Sequence, residues 1–100
     1  MSAVTVDTTH IFVDAVELSD EALAVQLSDG RSLTVPLAWY PRLLSGTVAE
    51  RNNWRLVGRG QGIHWLDLDE DISVANLLTG QASTESQQSL QSWLEQRAAK

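Results

Sequence analysis

Leu23, Val25 and Leu27 alternate with Ala24, Gln26 and Ser28; the run stops at Asp29-Gly30 and resumes with Leu33 and Val35 on one face. Alternation with a period of two is the pattern of a strand that buries one side and wets the other. Asp-Gly between two such runs suits a tight type I′ hairpin, whose two central residues both take positive φ. Upstream, Ile11, Val13, Val16 and Leu18 alternate loosely, and Ser19-Asp20-Glu21 supplies the turn. The first third of the chain is therefore predicted to be a three-stranded antiparallel meander, closed by Pro36.

Beyond Pro36 the period changes. Leu37, Trp39, Tyr40, Leu43 and Leu44 have helical spacing, with Pro41 tolerable in a first turn and Gly46 as the stop. Thr47-Val-Ala-Glu50 is a capping-box pattern that opens a second short helix towards Asn53. Trp54–Val57 and Ile63–Leu68 read as strands joined across Gly58-Arg59-Gly60-Gln61-Gly62, a hairpin turn with permissive φ. Asp67, Asp69, Glu70 and Asp71 then lead into a helix capped by Ser73 and ended by Gly80. Thr84-x-x-Gln87 opens a last helix with Leu90, Trp93, Leu94 and Arg97 on one face. The expected class is α+β, an antiparallel meander plus a later hairpin, with short helices and a C-terminal helix. Residues 1–80 form the expected domain and residues 81–100 a helical extension.

Composition narrows the function classes. Hydrophobic residues are 43% of the chain and charged residues 20%, a globular balance. There is no cysteine, which excludes disulfides, thiolate metal sites and cysteine nucleophiles. The start, MSAVTVDTTHIF, lacks the basic, long-apolar signature of a signal peptide, and no apolar run reaches membrane-spanning length. A cytoplasmic chain is expected. A net charge of −6 opposes general binding to phosphate backbones. The charge is segregated: acids precede Arg31, then Arg31, Arg42, Arg51, Arg55 and Arg59 face the single acid Glu50, then four acids follow. Either internal ion pairs or a two-signed face for a partner would produce this order.

The motifs Leu23-x-Val25, Asp29-Gly30-Arg31, Val35-Pro36-Leu37 and Tyr40-Pro41-x-Leu43 occur together with Ala49-Glu50-Arg51 and Gly60-x-Gly62-Ile63-His64-Trp65. They continue through Leu68-Asp69-Glu70-Asp71-Ile72-Ser73-Val74 and Leu77-Leu78-x-Gly80. With these, residues 11 to 80 resemble the bacterial domain-of-unknown-function family 2442. The resemblance implies an α+β domain with an antiparallel sheet. Some members resemble the N-terminal half of proteins with a helix-turn-helix behind it, and others one half of small two-gene operons of toxin–antitoxin type. Nothing after Gly80 is large enough for a helix-turn-helix, so the protein-partner reading leads. The family supplies no catalytic residues.

Each chemical motif has a structural counterpart. Asp67-Leu-Asp69-Glu-Asp71 resembles the opening of a calcium loop, but Ile72 stands where the turn glycine belongs and Leu78 where the bidentate glutamate belongs. His64 has no orienting partner in the sequence, and strand alternation places Asp67 and Asp69 on the opposite face. The glycine run is neither a Walker loop nor a dinucleotide fingerprint. No catalytic residue, metal or cofactor is expected. Arg51, Arg55 and Arg59 form a segment able to clamp a protein partner's acids, and Trp93 is the tryptophan expected at an interface. The leading reading is a small protein-interaction module, the antitoxin-like partner of a two-gene system or a homodimer, and not an enzyme. The alternative is a regulatory nucleic-acid binder acting through the arginine segment.

Overall fold

The computed structural model describes residues 10–98; the signal-peptide reading rests on the N-terminal stretch, of which residues 1–9 lie outside the described part. β1 (Val13–Leu18), β2 (Ala22–Leu27) and β3 (Ser32–Pro36) form the predicted antiparallel meander in the order β1-β2-β3. Leu23 lies opposite both Leu18 and Val35, and Val25 opposite Val16 and Leu33, which aligns the apolar sets on one face. The first strand starts at Val13, because Phe12 is occupied at the hairpin tip. Its N–H donates to Ser28 Oγ at 2.9 Å and its carbonyl accepts from the Ser28 N–H at 2.8 Å.

That contact also changes the turn. Ser28, Asp29 and Gly30 form a three-residue loop closed by Leu27 N–H to Arg31 O (2.8 Å) and Gly30 N–H to Leu27 O (3.1 Å). Of these three residues Gly30 alone has positive φ, 93°. The Asp29 carboxylate accepts from the Arg31 N–H at 3.1 Å and so stabilises the turn from its side chain. A type I′ geometry with positive φ at both Asp29 and Gly30 is not formed.

The expected helix from Leu37 breaks in two, a 3-10 turn over Leu37–Trp39 and α1 over Pro41–Ser45. Tyr40 between them has φ −129° and ψ 84°. It precedes proline, and the proline ring excludes helical geometry there while fitting the first helical position. α2 (Val48–Asn52) carries the predicted capping box, Glu50 N–H to Thr47 Oγ1 at 3.1 Å and Thr47 N–H to Glu50 Oε1 at 2.9 Å.

The second sheet gains a strand. β4 (Trp54–Val57) and β5 (Gly62–Trp65) pair as expected, but β5 ends at Trp65 rather than Leu68. The chain turns through residues 66–69, with Asp69 at φ 48°, and β6 (Glu70–Ser73) returns along β5. The order is β4-β5-β6, all antiparallel. α3 (Val74–Thr79) follows, capped by Ser73 Oγ accepting from the Asn76 N–H and ended by Gly80 at φ 71°. α4 (Gln87–Ala98) is capped by Ser86 rather than Thr84, through the Ser89 N–H at 3.0 Å.

The sheets share one core: Val13, Leu23, Val25, Leu27 and Val35 from the first, Ile63, Trp65 and Ile72 from the second, with Leu37, Tyr40, Leu43, Leu68, Val74 and Leu77. Gly60 joins the two halves. Its backbone, at φ 85°, lies so close to β1 that a Cβ would meet Phe12 Cβ at 3.3 Å and Val13 O at 3.4 Å. Among the described residues no helix is long and apolar enough to cross a membrane.

Candidate functional site

The arginines read as one segment have different fates. Arg51 leaves α2 and turns back: its Nε donates to Leu43 O at 3.0 Å and its Nη2 to Gly46 O at 2.9 Å and Leu44 O at 3.4 Å. It thereby caps the carbonyl end of α1, where a cation is favoured. An ion pair to the exposed Asp20 at 3.5 Å adds little. Arg42 holds Glu85 in a fork, Nε to Oε1 at 2.9 Å and Nη2 to Oε2 at 2.6 Å. Arg97 holds Glu50 the same way, at 3.0 and 2.7 Å, and Arg31 pairs with Asp29 at 2.7 Å.

Arg55 and Arg59 are different. Both are exposed, and among the described residues neither has an ion pair or side-chain hydrogen bond. Arg55 lies on β4, which among the described residues is an edge strand paired with β5 alone. Arg59 lies just past the strand end with φ 58° and ψ 36°, between Gly58 and Gly60, both also at positive φ. A left-handed arginine costs roughly 1–2 kcal/mol, which the packed Gly60 beside it holds in place. Between the two arginines Leu56 and Val57 remain 39% and 38% exposed. In the sequence those apolar residues are ordinary strand positions, and no local signal marks their exposure. An edge strand leaves alternate N–H and C=O groups unpaired, so main chain, apolar surface and free positive charge coincide here.

Trp93 is half-buried against the core, with guanidinium groups over its ring: Arg42 at 4.9 Å and Arg97 at 4.6 Å from the centroid. It docks α4, which has no buried residue of its own. The ion pairs beside it hold the Glu50 carboxyl down to about 2, through the Arg97 guanidinium and then the Thr47 N–H, and hold Glu85 below its usual range through Arg42. The unfolded chain binds these protons near the ordinary 4.5, so the stabilisation is complete above that pH and lost as pH falls towards 2. α4 is expected to lose amide protection and the Trp93 indole resonance to shift across that window, before the sheets unfold. Protection of α4 that persists until the sheets melt would refute this dependence.

A polar cleft of about 190 Å³ lies between β6 and the segment after α3, lined by Tyr40, Glu70, Asp71, Asn76, Ser83 and Thr84 among others. Burial pushes the Glu70 carboxyl up, opposed by the Asp71 N–H and by Arg42. The Tyr40 hydroxyl donates to Gln81 O at 3.2 Å, and burial pushes its phenol up. His64 does have an orienting partner, contrary to the sequence reading: Nδ1 lies 2.7 Å from Asp71 Oδ1, because the β5–β6 register sets these residues opposite one another. Asp67 instead accepts from the Asn53 side chain at 2.8 Å. The described residues contain no nucleophile hydrogen-bonded to His64 and no cluster of three or more metal-capable side chains.

Comparison with known proteins gives a family and a fold. No curated protein matches the chain. A crystal structure of a protein of unknown function from Rhodospirillum rubrum ATCC 11170 has the same fold, with a TM-score of 0.65 and 23% identity. The match covers 76% of this chain and 94% of that one. The profile of the protein-of-unknown-function family DUF2442 matches residues 3–83 and ends before α4. Spanning most of the chain and both sheets, that match establishes that the chain belongs to the DUF2442 family.

Proposed function

We propose that this chain is a small protein-interaction module, acting in the bacterial cytoplasm as the antitoxin-like partner of a two-gene system. One observation carries the reading: in a chain of net charge −6, Arg55 and Arg59, unpartnered among the described residues, flank exposed Leu56 and Val57 on a strand that the described sheet leaves at its edge. Arg is suited to interfaces because its guanidinium forks onto carboxylates, and apolar side chains beside it exclude water from those pairs. Arg51 and Trp93 support this surface indirectly, Arg51 by capping α1 and Trp93 by securing α4. The two-gene role follows the operons that members of the family resemble.

The test is a tagged pull-down from the native host with mass spectrometry and sizing of the complex. A stoichiometric protein partner is expected, lost when Arg55→Glu and Arg59→Glu are combined. Recovery of the bait alone, or of nucleic acid released by salt, would overturn the reading.

A further inference from the structure

The exposed edge of β4 has a definite chemistry, and this inference rests on the interaction reading above. We infer that β4 binds its partner by strand addition, taking an extended segment that alternates apolar and acidic residues as a fourth strand beside β4-β5-β6. Three features of the molecule set this occupant.

The first is the backbone. β4 pairs with β5 through Trp54↔Trp65, Arg55↔His64, Leu56↔Ile63 and Val57↔Gly62, and among the described residues no strand lies on its other side. An antiparallel pairing uses only alternate N–H and C=O groups of each strand, so the others face outward and suit an extended chain rather than a helix. The second is side-chain alternation. Leu56 shares the face of Ile63 and Ile72, at the margin of the core, while Arg55 and Val57 share the opposite face with His64 and Gly62. An added strand would place apolar residues beside Leu56 and its alternate residues beside Arg55. The third is charge. Four of the six described arginines, Arg31, Arg42, Arg51 and Arg97, have carboxylate partners; Arg55 and Arg59 have none among the described residues. A carboxylate-bearing strand complements both, and a basic one is repelled by both.

The other edges are less suited. β1 is interrupted by a register shift between Val13 and Ala15, which disrupts regular pairing. β3 ends in Pro36, which has no N–H to donate. β6 carries Glu70 and Asp71, which line the cleft against the segment after α3.

The probe is a capped eight-residue peptide alternating valine and glutamate, titrated into the full ¹⁵N-labelled chain. Expected are amide shifts centred on Arg55–Val57, with affinity weakened at least about tenfold by the combined Arg55→Glu and Arg59→Glu substitutions. Methylating alternate peptide nitrogens should abolish binding, since it removes donors while keeping every side chain. Equal binding of a valine–lysine peptide, equal binding of the methylated peptide, or no shift in β4 would overturn strand addition. Concentration-dependent shifts in β4 without peptide would overturn it in favour of edge pairing between two copies. A pull-down partner that depends on Arg55 and Arg59, together with a silent peptide titration, would leave the interaction reading standing and remove this one.

Discussion

Trp65→Ala is expected to cost about 3–5 kcal/mol of folding stability, the range for deleting a large aromatic side chain from a core. Trp65 is fully buried, and its indole N–H donates to Arg51 O at 2.8 Å. A domain of this size has about 5–15 kcal/mol in all, so the variant should be partly unfolded at physiological temperature. Two losses combine: the ring's contacts with the core, and a partner for a backbone carbonyl that anchors α2. Trp65→Phe separates them by keeping an aromatic ring without the donor, and should cost less, about 1–3 kcal/mol. Urea unfolding followed by far-UV circular dichroism measures both. A loss below about 1 kcal/mol for Trp65→Ala would mean that the second sheet does not depend on this packing.

Arg51→Ala and Arg55→Ala should separate sharply although the two residues are alike in sequence. Arg51 donates to three backbone carbonyls at the end of α1, Leu43 O at 3.0 Å, Leu44 O at 3.4 Å and Gly46 O at 2.9 Å. Removing it should cost about 1.5–3 kcal/mol, the range for hydrogen bonds to a charged group. Arg51→Lys should recover only part, because an ammonium cannot reproduce the fork. Arg55→Ala should change stability by less than about 0.5 kcal/mol, as for an exposed side chain without partners, while weakening partner capture. The same urea titration decides the matter, and the reverse ordering would sink this division of roles.

The contrast shows what could be read from the chain alone. Leu23, Val25, Leu27, Leu33 and Val35 disclosed the first sheet because strand alternation is a local property, visible within one window. The cap at Thr47–Glu50 and the stop at Gly80 were legible for the same reason. β6 was not. Its sequence Glu-Asp-Ile-Ser has one buried residue, Ile72, and its acids favour turns over strands, so pairing with β5 overrides local preference. Asp69 held the available clue, since aspartate tolerates the left-handed turn that reverses the chain there. The His64–Asp71 contact depends on that reversal and was hidden with it. The candidate surface was half legible: Arg55 and Arg59 stood out as charge, but Arg51 could be set apart only once α1 ended within its reach. The exposure of Leu56 and Val57 likewise follows from the sheet order, in which no described strand lies beyond β4.

Among the described residues α4 is held to the rest of the molecule by side chains, and it lies beyond residues 3–83, the stretch that the family profile matches. Contacts at Glu85 just before it and at Trp93 and Arg97 within it hold it to the rest of the molecule. A substitution at any of these three, or at their partners Arg42 and Glu50, would loosen the helix, whereas the exposed positions between them carry no such contact. The tail of this chain is therefore where a lineage could acquire a new specificity without rebuilding either sheet.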